Sequence, residues 1–206
     1  MNILITAGPT REAIDPVRYI GNRSSGRMGA ALVAAGLSRG HRVTAILGPV
    51  EFHLPDGAMR IDVESAREMY DAVMTEFPTN DLLIMAAAVA DYRPKVSHAH
   101  KLDRTEGRTI ELEPTEDIVA AAGKIKRPNQ CTVGFSLEAS GDLDRARRKM
   151  IQKNLDLMVY NPLETMNSIS VEATLLWPDG RSERLARQAK EGFARILIER
   201  AVAMIK

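Results

Sequence analysis

The chain has 206 residues, 45% of them hydrophobic and 27% charged, and its 28 Lys and Arg against 27 Asp and Glu leave a formal net charge of +1. That balance argues against a nucleic-acid or membrane-surface binder, which needs a basic excess, while the length suffices for one real core. A single cysteine, Cys131, rules out an intrachain disulfide framework and fits a reducing cytoplasm. No apolar run approaches the roughly 18–20 residues of a membrane span, and no charged start leads into a long apolar core, so neither membrane nor export is expected.

Apolar runs and helix-like stretches alternate from the first residue. Ile3 to Ala7 reads as a buried strand closed by Gly8-Pro9. A loop runs through Gly26, and Met28 to Ser38, rich in Ala and Leu, reads as a helix stopped at Gly40. Arg42 to Leu47 is a second strand. Glu64 to Phe77 has apolar residues at helical spacing, and Leu82 to Ala88 is a third buried strand. This order predicts a doubly wound, mostly parallel Rossmann-like α/β sheet with helices on both faces. Residues 93–108 are polar and carry Pro94, His98 and His100, which predicts an exposed, mobile flap. Glu116 to Lys124 reads as a helix, Thr132 to Ser136 as a strand, Leu143 to Gln152 as a helix and Leu155 to Tyr160 as a strand. Ser170 to Trp177 alternates, meets Pro178-Asp179-Gly180 and returns around Arg184-Leu185, which predicts an antiparallel hairpin near the C-terminus. Gln188 to Ile205 reads as an amphipathic closing helix. No repeat or linker interrupts the chain, so residues 1–206 are expected to form one domain.

The loop from Gly8 to Gly29 is far too long for a plain strand-to-helix turn, and such a loop lies where open α/β sheets bind ligands. Gly21-Asn22-Arg23-Ser24-Ser25-Gly26 has Walker-loop glycine spacing, but Arg27-Met28 stands where Lys and Ser or Thr are required. A G-x-G-x-x-G turn is also absent. What remains is an anion nest of Asn22, Ser24, Ser25 and Gly26 before a helix, with Arg18, Arg23 and Arg27 adding charge. The alternative is a capped helix start with solvated arginines.

Thr6-Ala7-Gly8-Pro9-Thr10-Arg11-Glu12, followed by Asp15-Pro16-Val17-Arg18-Tyr19-Ile20-Gly21-Asn22-Arg23-Ser24-Ser25-Gly26-Arg27-Met28-Gly29, resembles the opening of phosphopantothenate–cysteine ligase. The resemblance continues in Ala86-Ala87-Ala88-Val89-Ala90-Asp91-Tyr92-Arg93, Asp117-Ile118-Val119, Val133-Gly134-Phe135 and Lys153-Asn154-Leu155-Asp156-Leu157. It spans nearly the whole chain. It covers the synthetase half of the bifunctional coenzyme A biosynthesis flavoprotein and not the flavin-binding decarboxylase half. The chain is therefore expected to be free-standing, with a separate decarboxylase as a possible partner, or to be one half of such a protein.

The resemblance implies a two-step synthesis from 4′-phosphopantothenate and cysteine. The substrate carboxylate attacks the α-phosphate of CTP (or ATP), giving an acyl-nucleotidylate and pyrophosphate, and the cysteine amine then displaces the nucleotide monophosphate. Holding several anions together calls for positioning and electrostatics. By the same resemblance Arg18 and Asn22 serve the acyl intermediate, beside the substrate-binding Ser24, Ser25 and Gly26; Asn22 alone also suits a plain turn. Ala86, Ala87 and Asp91 match nucleotide contacts, although Asp91 also suits a cap or turn. Lys101 matches a catalytic loop lysine on the triphosphate, with Asp103 where the bacterial Lys-Ile-Lys-Lys run has lysine. Asp117, Ile118 and Val119 match a further nucleotide stretch, and Phe135 is expected against the base or in the core. Arg145, Arg148, Lys149, Gln152 and Lys153 share one helical face. Lys149 and Lys153 match nucleotide contacts, and a solvated stripe is the alternative.

His98 and His100 lack further ligands, so no protein-bound metal is expected, and Mg²⁺ should arrive on the triphosphate. Cys131 reads as a buried small residue. Family members pair, so a homodimer is expected, with the apolar segment from Ser168 to Trp177 and its hairpin as contact surface; a free sheet edge is the alternative. The competing readings are a nicotinamide-dependent oxidoreductase, which wants G-x-G-x-x-G and Tyr-x-x-x-Lys, and a non-catalytic nucleotide-binding relative.

Overall fold

The computed structural model describes residues 1–104, 107–138, 142–162 and 170–205. In chain order the elements are β1 (Asn2–Ala7), a hairpin of β2 (Arg11–Ala13) and β3 (Tyr19–Gly21), α1 (Arg27–Ser38), β4 (Arg42–Leu47), β5 (Met59–Asp62), α2 (Ala66–Glu76) and β6 (Leu82–Met85). A second hairpin of β7 (Tyr92–Pro94) and β8 (Leu112–Pro114) precedes α3 (Ile118–Ile125), β9 (Cys131–Glu138), α4 (Leu143–Gln152) and β10 (Leu157–Pro162). The chain closes with β11 (Ser170–Leu176), β12 (Ser182–Ala189) and α5 (Lys190–Val202).

Eight strands form one sheet in the order β12-β11-β10-β9-β6-β1-β4-β5. From β10 to β5 every pairing is parallel, and β11 and β12 add antiparallel at one edge. The expected mostly parallel sheet with a C-terminal antiparallel hairpin is thus what forms. Strands buried on both faces explain the unbroken apolar runs: Ile3, Ile5, Leu82, Val133 and Val159 face α1 and α5, while Leu4, Ile46 and Leu83 face α2 and α3. Ala146 and Met150 of α4 pack on Met158 and Tyr160. The α2 start is set locally, because the Ser65 hydroxyl accepts from the Glu68 N–H at 3.2 Å and the Glu68 carboxylate accepts from the Glu64 N–H at 2.7 Å.

Several elements differ from the sequence reading. β6 leaves the main ladder after Met85, yet Ala88 still donates to the Gly8 carbonyl at 2.8 Å, so the extended course to Ala88 is kept by the loop after β1. The polar segment from Arg93 is anchored at its start: β7 pairs with β8, and Lys95 donates to the Glu111 carbonyl at 2.9 Å. Thr105 and Glu106 of the expected flap lie outside the described residues. β10 runs through Asn161-Pro162, with Asn161 in register with Leu137 and Pro162 with Glu138 of β9. The expected contact segment spends its apolar side chains internally, since Val171, Ala173, Leu175 and Trp177 are all buried; Ser168 lies outside the described residues. Exposed large apolar residues stand on the two hairpins and the segment between β7 and β8, among them Val17, Tyr19, Tyr92, Val96 and Leu112, and also elsewhere, at Met59, Ile125, Leu137 and Ile151.

Candidate active site

The sheet reverses its winding at β1: β4 and β5 extend one way, β6 and β9 the other. Carboxyl ends of strands on either side of such a point leave a crevice. The long loop after β1 is fastened over it by its own polar side chains. The Thr10 hydroxyl accepts from the Ala90 N–H at 2.9 Å, and the buried Glu12 carboxylate accepts from the Ala66 N–H at 2.8 Å, at the start of α2. The Asn22 amide donates to the Val89 carbonyl at 2.8 Å. Thr10, Glu12 and Asn22 therefore tie this loop to β6's continuation and to α2, and a cavity of about 890 Å³ opens between them.

Asp15 is the hub of the β2–β3 turn. It accepts from the Val17 and Arg18 N–H groups at 2.9 Å and from the Leu102 N–H at 3.1 Å, and pairs with the Arg18 guanidinium at 2.9 Å. Burial pushes its carboxyl up, but the backbone donors of Val17, Leu102 and Arg18 and the Arg18 charge outweigh that and hold it at about 2. Arg18 also donates to the Leu102 carbonyl. The two hairpins are thereby joined, with Lys101 exposed beside the joint.

Gly26 caps α1 with a left-handed φ of 68°, no side chain caps the first turn, and its residues Arg27, Met28 and Gly29 line the cavity with Ser24 and Ser25. Gly29 lets that turn press on β1: a Cβ there would stand 2.1 Å from the Ala7 Cβ. Arg23 and Arg27 also line the cavity and make no ion pair among the described residues. A second hollow of about 660 Å³ lies against the same loop, with the Arg11 guanidinium 4.7 Å from the centroid of Tyr19.

The cavity gathers most of the residues singled out from sequence. Asn22, Ser24, Ser25 and Gly26 line it together with Ala86, Ala87 and Asp91. Asp117, Ile118 and Val119 bring in the start of α3, where the Asp117 carboxylate accepts from the Ala120 N–H at 3.0 Å. Lys153 lines the cavity too, its ammonium 3.0 Å from the Asp117 carboxylate. Phe135 does both things considered for it: it packs on the α1 side of the core and borders the cavity. Arg18, Lys101 and Lys149 do not line the cavity; Arg18 and Lys101 stand at the hairpin joint and Lys149 is half-buried on α4. Cys131 is 2% exposed at the foot of the sheet, and burial pushes its thiol far up.

Lys190 and Asn161 are among the lining residues not singled out from sequence. Lys190, the first residue of α5, is half-buried, and burial followed by the Arg27 charge lowers its pKa. Asn161, read only as a strand stop, is the last residue but one of β10 and lines the cavity, with its Oδ1 shut off from solvent and without a donor among the described residues. Among the described residues no group of three His, Cys, Asp or Glu is placed to hold a metal ion, and no helix is long and apolar enough to cross a membrane.

Fold and cavity define a doubly wound α/β protein with a cation-lined crevice at its switch point. Residues 1–204 match the family described as DNA/pantothenate metabolism flavoprotein C-terminal domain, and the chain belongs to that family. It is 43% identical over 206 residues to the coenzyme A biosynthesis bifunctional protein CoaBC of Vibrio parahaemolyticus, covering 97% of this chain and 51% of that protein. The chain thus spans about half the length of the curated relatives it matches. Among solved structures, the C-terminal domain of a CoaBC protein superposes with a TM-score of 0.85 at 36% identity, over 98% of this chain and 94% of that one. A Cab2 mutant complexed with phosphopantothenate-cysteine shares the fold with a TM-score of 0.80 at 17% identity, over 98% of this chain and 85% of that one.

Proposed function

We propose that this chain joins 4′-phosphopantothenate to cysteine, with CTP more than ATP as the activating nucleotide. One observation carries the reading: a single cavity brings the Asn22–Gly26 wall against Ala86, Ala87, Asp91 and the Asp117–Lys153 pair. Membership of the pantothenate-metabolism family and the coenzyme A biosynthesis role named for the CoaBC relatives support it.

In this reading the uncapped first turn of α1, with Arg23 and Arg27, receives phosphate oxygens, because orphan N–H groups and the helix dipole favour anions there. Lys153 and the α3 start hold the nucleotide, and Phe135 flanks its base. The phosphopantothenate carboxylate attacks the α-phosphorus, the bond to the β-phosphate oxygen breaks, and pyrophosphate departs. Asn22, fixed by the Val89 carbonyl, orients the acyl group. The cysteine amine then attacks the acyl carbon, loses a proton, and the nucleotide monophosphate leaves with the bonding pair. Magnesium would arrive on the triphosphate and screen its charge, since among the described residues no group of three His, Cys, Asp or Glu is placed to hold a metal ion.

Lys101 acts in this reading from the flap of residues 93–108, and Arg18 acts from the β2–β3 turn, where it grips the Leu102 carbonyl of that flap. We further propose a homodimer whose contact is the exposed apolar surface of the hairpins around Val17, Tyr19, Tyr92 and Val96. The functional test is to incubate the protein with 4′-phosphopantothenate, cysteine, Mg²⁺ and either nucleotide and follow product by mass spectrometry. Phosphopantothenoylcysteine forming with CTP supports the reading; its absence with both nucleotides from folded protein refutes it.

A further inference from the structure

Past Met85 the chain leaves the main ladder, and the segment from Ala86 to Asp91 runs along the cavity without a strand on each side. Its backbone groups must find partners elsewhere. Many come from β1 and the loop after it. The Ala87 N–H donates to the Thr6 hydroxyl at 3.2 Å, the Ala88 N–H to the Gly8 carbonyl at 2.8 Å and the Ala90 N–H to the Thr10 hydroxyl at 2.9 Å. The Asn22 amide holds the Val89 carbonyl. The next two carbonyls turn to one residue between β8 and α3. The Thr115 hydroxyl donates to the Ala90 carbonyl at 2.6 Å, and the Thr115 N–H donates to the Asp91 carbonyl at 3.0 Å.

Thr115 therefore stands at a junction. Two residues further on, Asp117 caps α3 and meets the Lys153 ammonium at 3.0 Å. One threonine ties the Ala86–Asp91 segment to the Asp117–Lys153 pair, and both stretches line the same cavity. Ion pairs span the same joint: Arg93 reaches Glu113 at 2.8 Å and Glu116 at 3.2 Å. These side chains are partly exposed, and such pairs are weak and screened by salt. The Thr115 hydroxyl bond is short and ends on Ala90, which is buried. Removing the hydroxyl leaves that carbonyl short of a donor where water has little access, so the segment must shift to satisfy it.

We propose that Thr115 is a positioning residue for the nucleotide, its hydroxyl setting the spacing between Asp91 and Asp117 through the Ala90 carbonyl. The proposal rests on the ligase reading above and adds which side chain fixes the width of the nucleotide's slot. Thr115 takes no part in making or breaking bonds. It acts through Ala90, Asp91 and Asp117, so its loss weakens nucleotide binding and leaves phosphopantothenate, held at Asn22, largely untouched.

Two variants separate this role from simple support of the fold. Thr115→Val keeps the shape and the N–H bond to Asp91 but removes the hydroxyl; Thr115→Ser keeps the hydroxyl and removes the methyl. The assay is phosphopantothenate-dependent exchange of labelled pyrophosphate into CTP and, separately, into ATP, with denaturant unfolding to show that each variant is folded. Thr115→Val is expected to raise the KM for the nucleotide about tenfold, the scale of one lost hydrogen bond. The KM for phosphopantothenate should change less than about twofold, too little for a lost bond. Thr115→Ser should stay within about threefold of the unaltered protein for both. A nucleotide KM unshifted in Thr115→Val, with exchange intact, would defeat the positioning role alone. Both KM values rising together, or Thr115→Ser as impaired as Thr115→Val, would overturn it and leave Thr115 a support of the fold. Absence of exchange with either nucleotide in the unaltered protein would defeat the ligase reading, and the positioning role with it.

Discussion

Gly29→Ala tests how tightly the anion-binding turn is seated. The added Cβ would stand 2.1 Å from the Ala7 Cβ and 3.2 Å from its Cα. Carbon atoms in ordinary contact keep about 3.5–4.0 Å, so the first turn of α1 must retreat by roughly 1.5 Å. Overpacking of this kind costs about 1–3 kcal/mol, and replacing Gly by Ala within a helix returns about 1 kcal/mol. The net loss of stability is then about 0–2 kcal/mol, and the protein stays folded. The same retreat carries Ser24 to Arg27 with it, and a misplacement of about 1 Å is worth roughly a hundredfold in rate. Denaturant unfolding should therefore show a small change while pyrophosphate release falls about a hundredfold. Ala7→Gly in the same chain removes the opposing methyl and should recover most of the rate. A wild-type rate in Gly29→Ala, or no recovery in the double variant, would refute the seating of this turn as a functional requirement.

The hairpin joint should melt in acid before the sheet does. The Asp15 carboxyl, held at about 2, is depressed below its unfolded value, so it contributes stability above pH ~4 that is lost as pH falls toward 2. The difference in stability between the protein and its Asp15→Asn variant should shrink over that window; a constant difference from pH 6 to 2 would contradict it. Cys131, buried with its thiol pushed up, should react with a thiol reagent only on unfolding, and stoichiometric labelling of the native protein would count against the strand placement. Lys153→Ala removes the partner of Asp117 at the cavity and should raise the nucleotide KM about tenfold, leaving that of phosphopantothenate within about twofold; an unchanged nucleotide KM would move the nucleotide elsewhere.

Elements with strong periodicity were legible in the chain. α4 runs from Leu143 to Gln152 as its pattern implies, and the buried strands β1, β4 and β9 stand where continuous apolar runs place them. β5 escaped notice because three of its four residues, Met59–Asp62, are exposed at the sheet edge and show no alternation. The hairpin strands Arg11–Ala13, Tyr19–Gly21, Tyr92–Pro94 and Leu112–Pro114 are too short for any period, and they are held by side chains such as Asp15 and Arg93.

The site divides in the same manner. Its Asn22–Gly26 wall is contiguous in sequence, and its glycines and hydroxyls before a helix announce an anion nest. Asp117 and Lys153 came from the resemblance, and the structure adds that they touch each other. Asn161 and Lys190 left no local signal. An Asn-Pro at a strand end and a lysine at a helix start are common surface features. Only the register of β9, β10, β11 and β12 carries them to the cavity.

The acyl-nucleotidylate is the centre of this account, and pyrophosphate release with cysteine withheld tests it most directly. Mixing the protein with 4′-phosphopantothenate, CTP and Mg²⁺ should give a burst of about one pyrophosphate per site, the mark of an intermediate that forms and waits. Adding cysteine should then restore steady turnover. Release that proceeds equally well without phosphopantothenate, or no release until cysteine is present, would contradict the proposed order of steps.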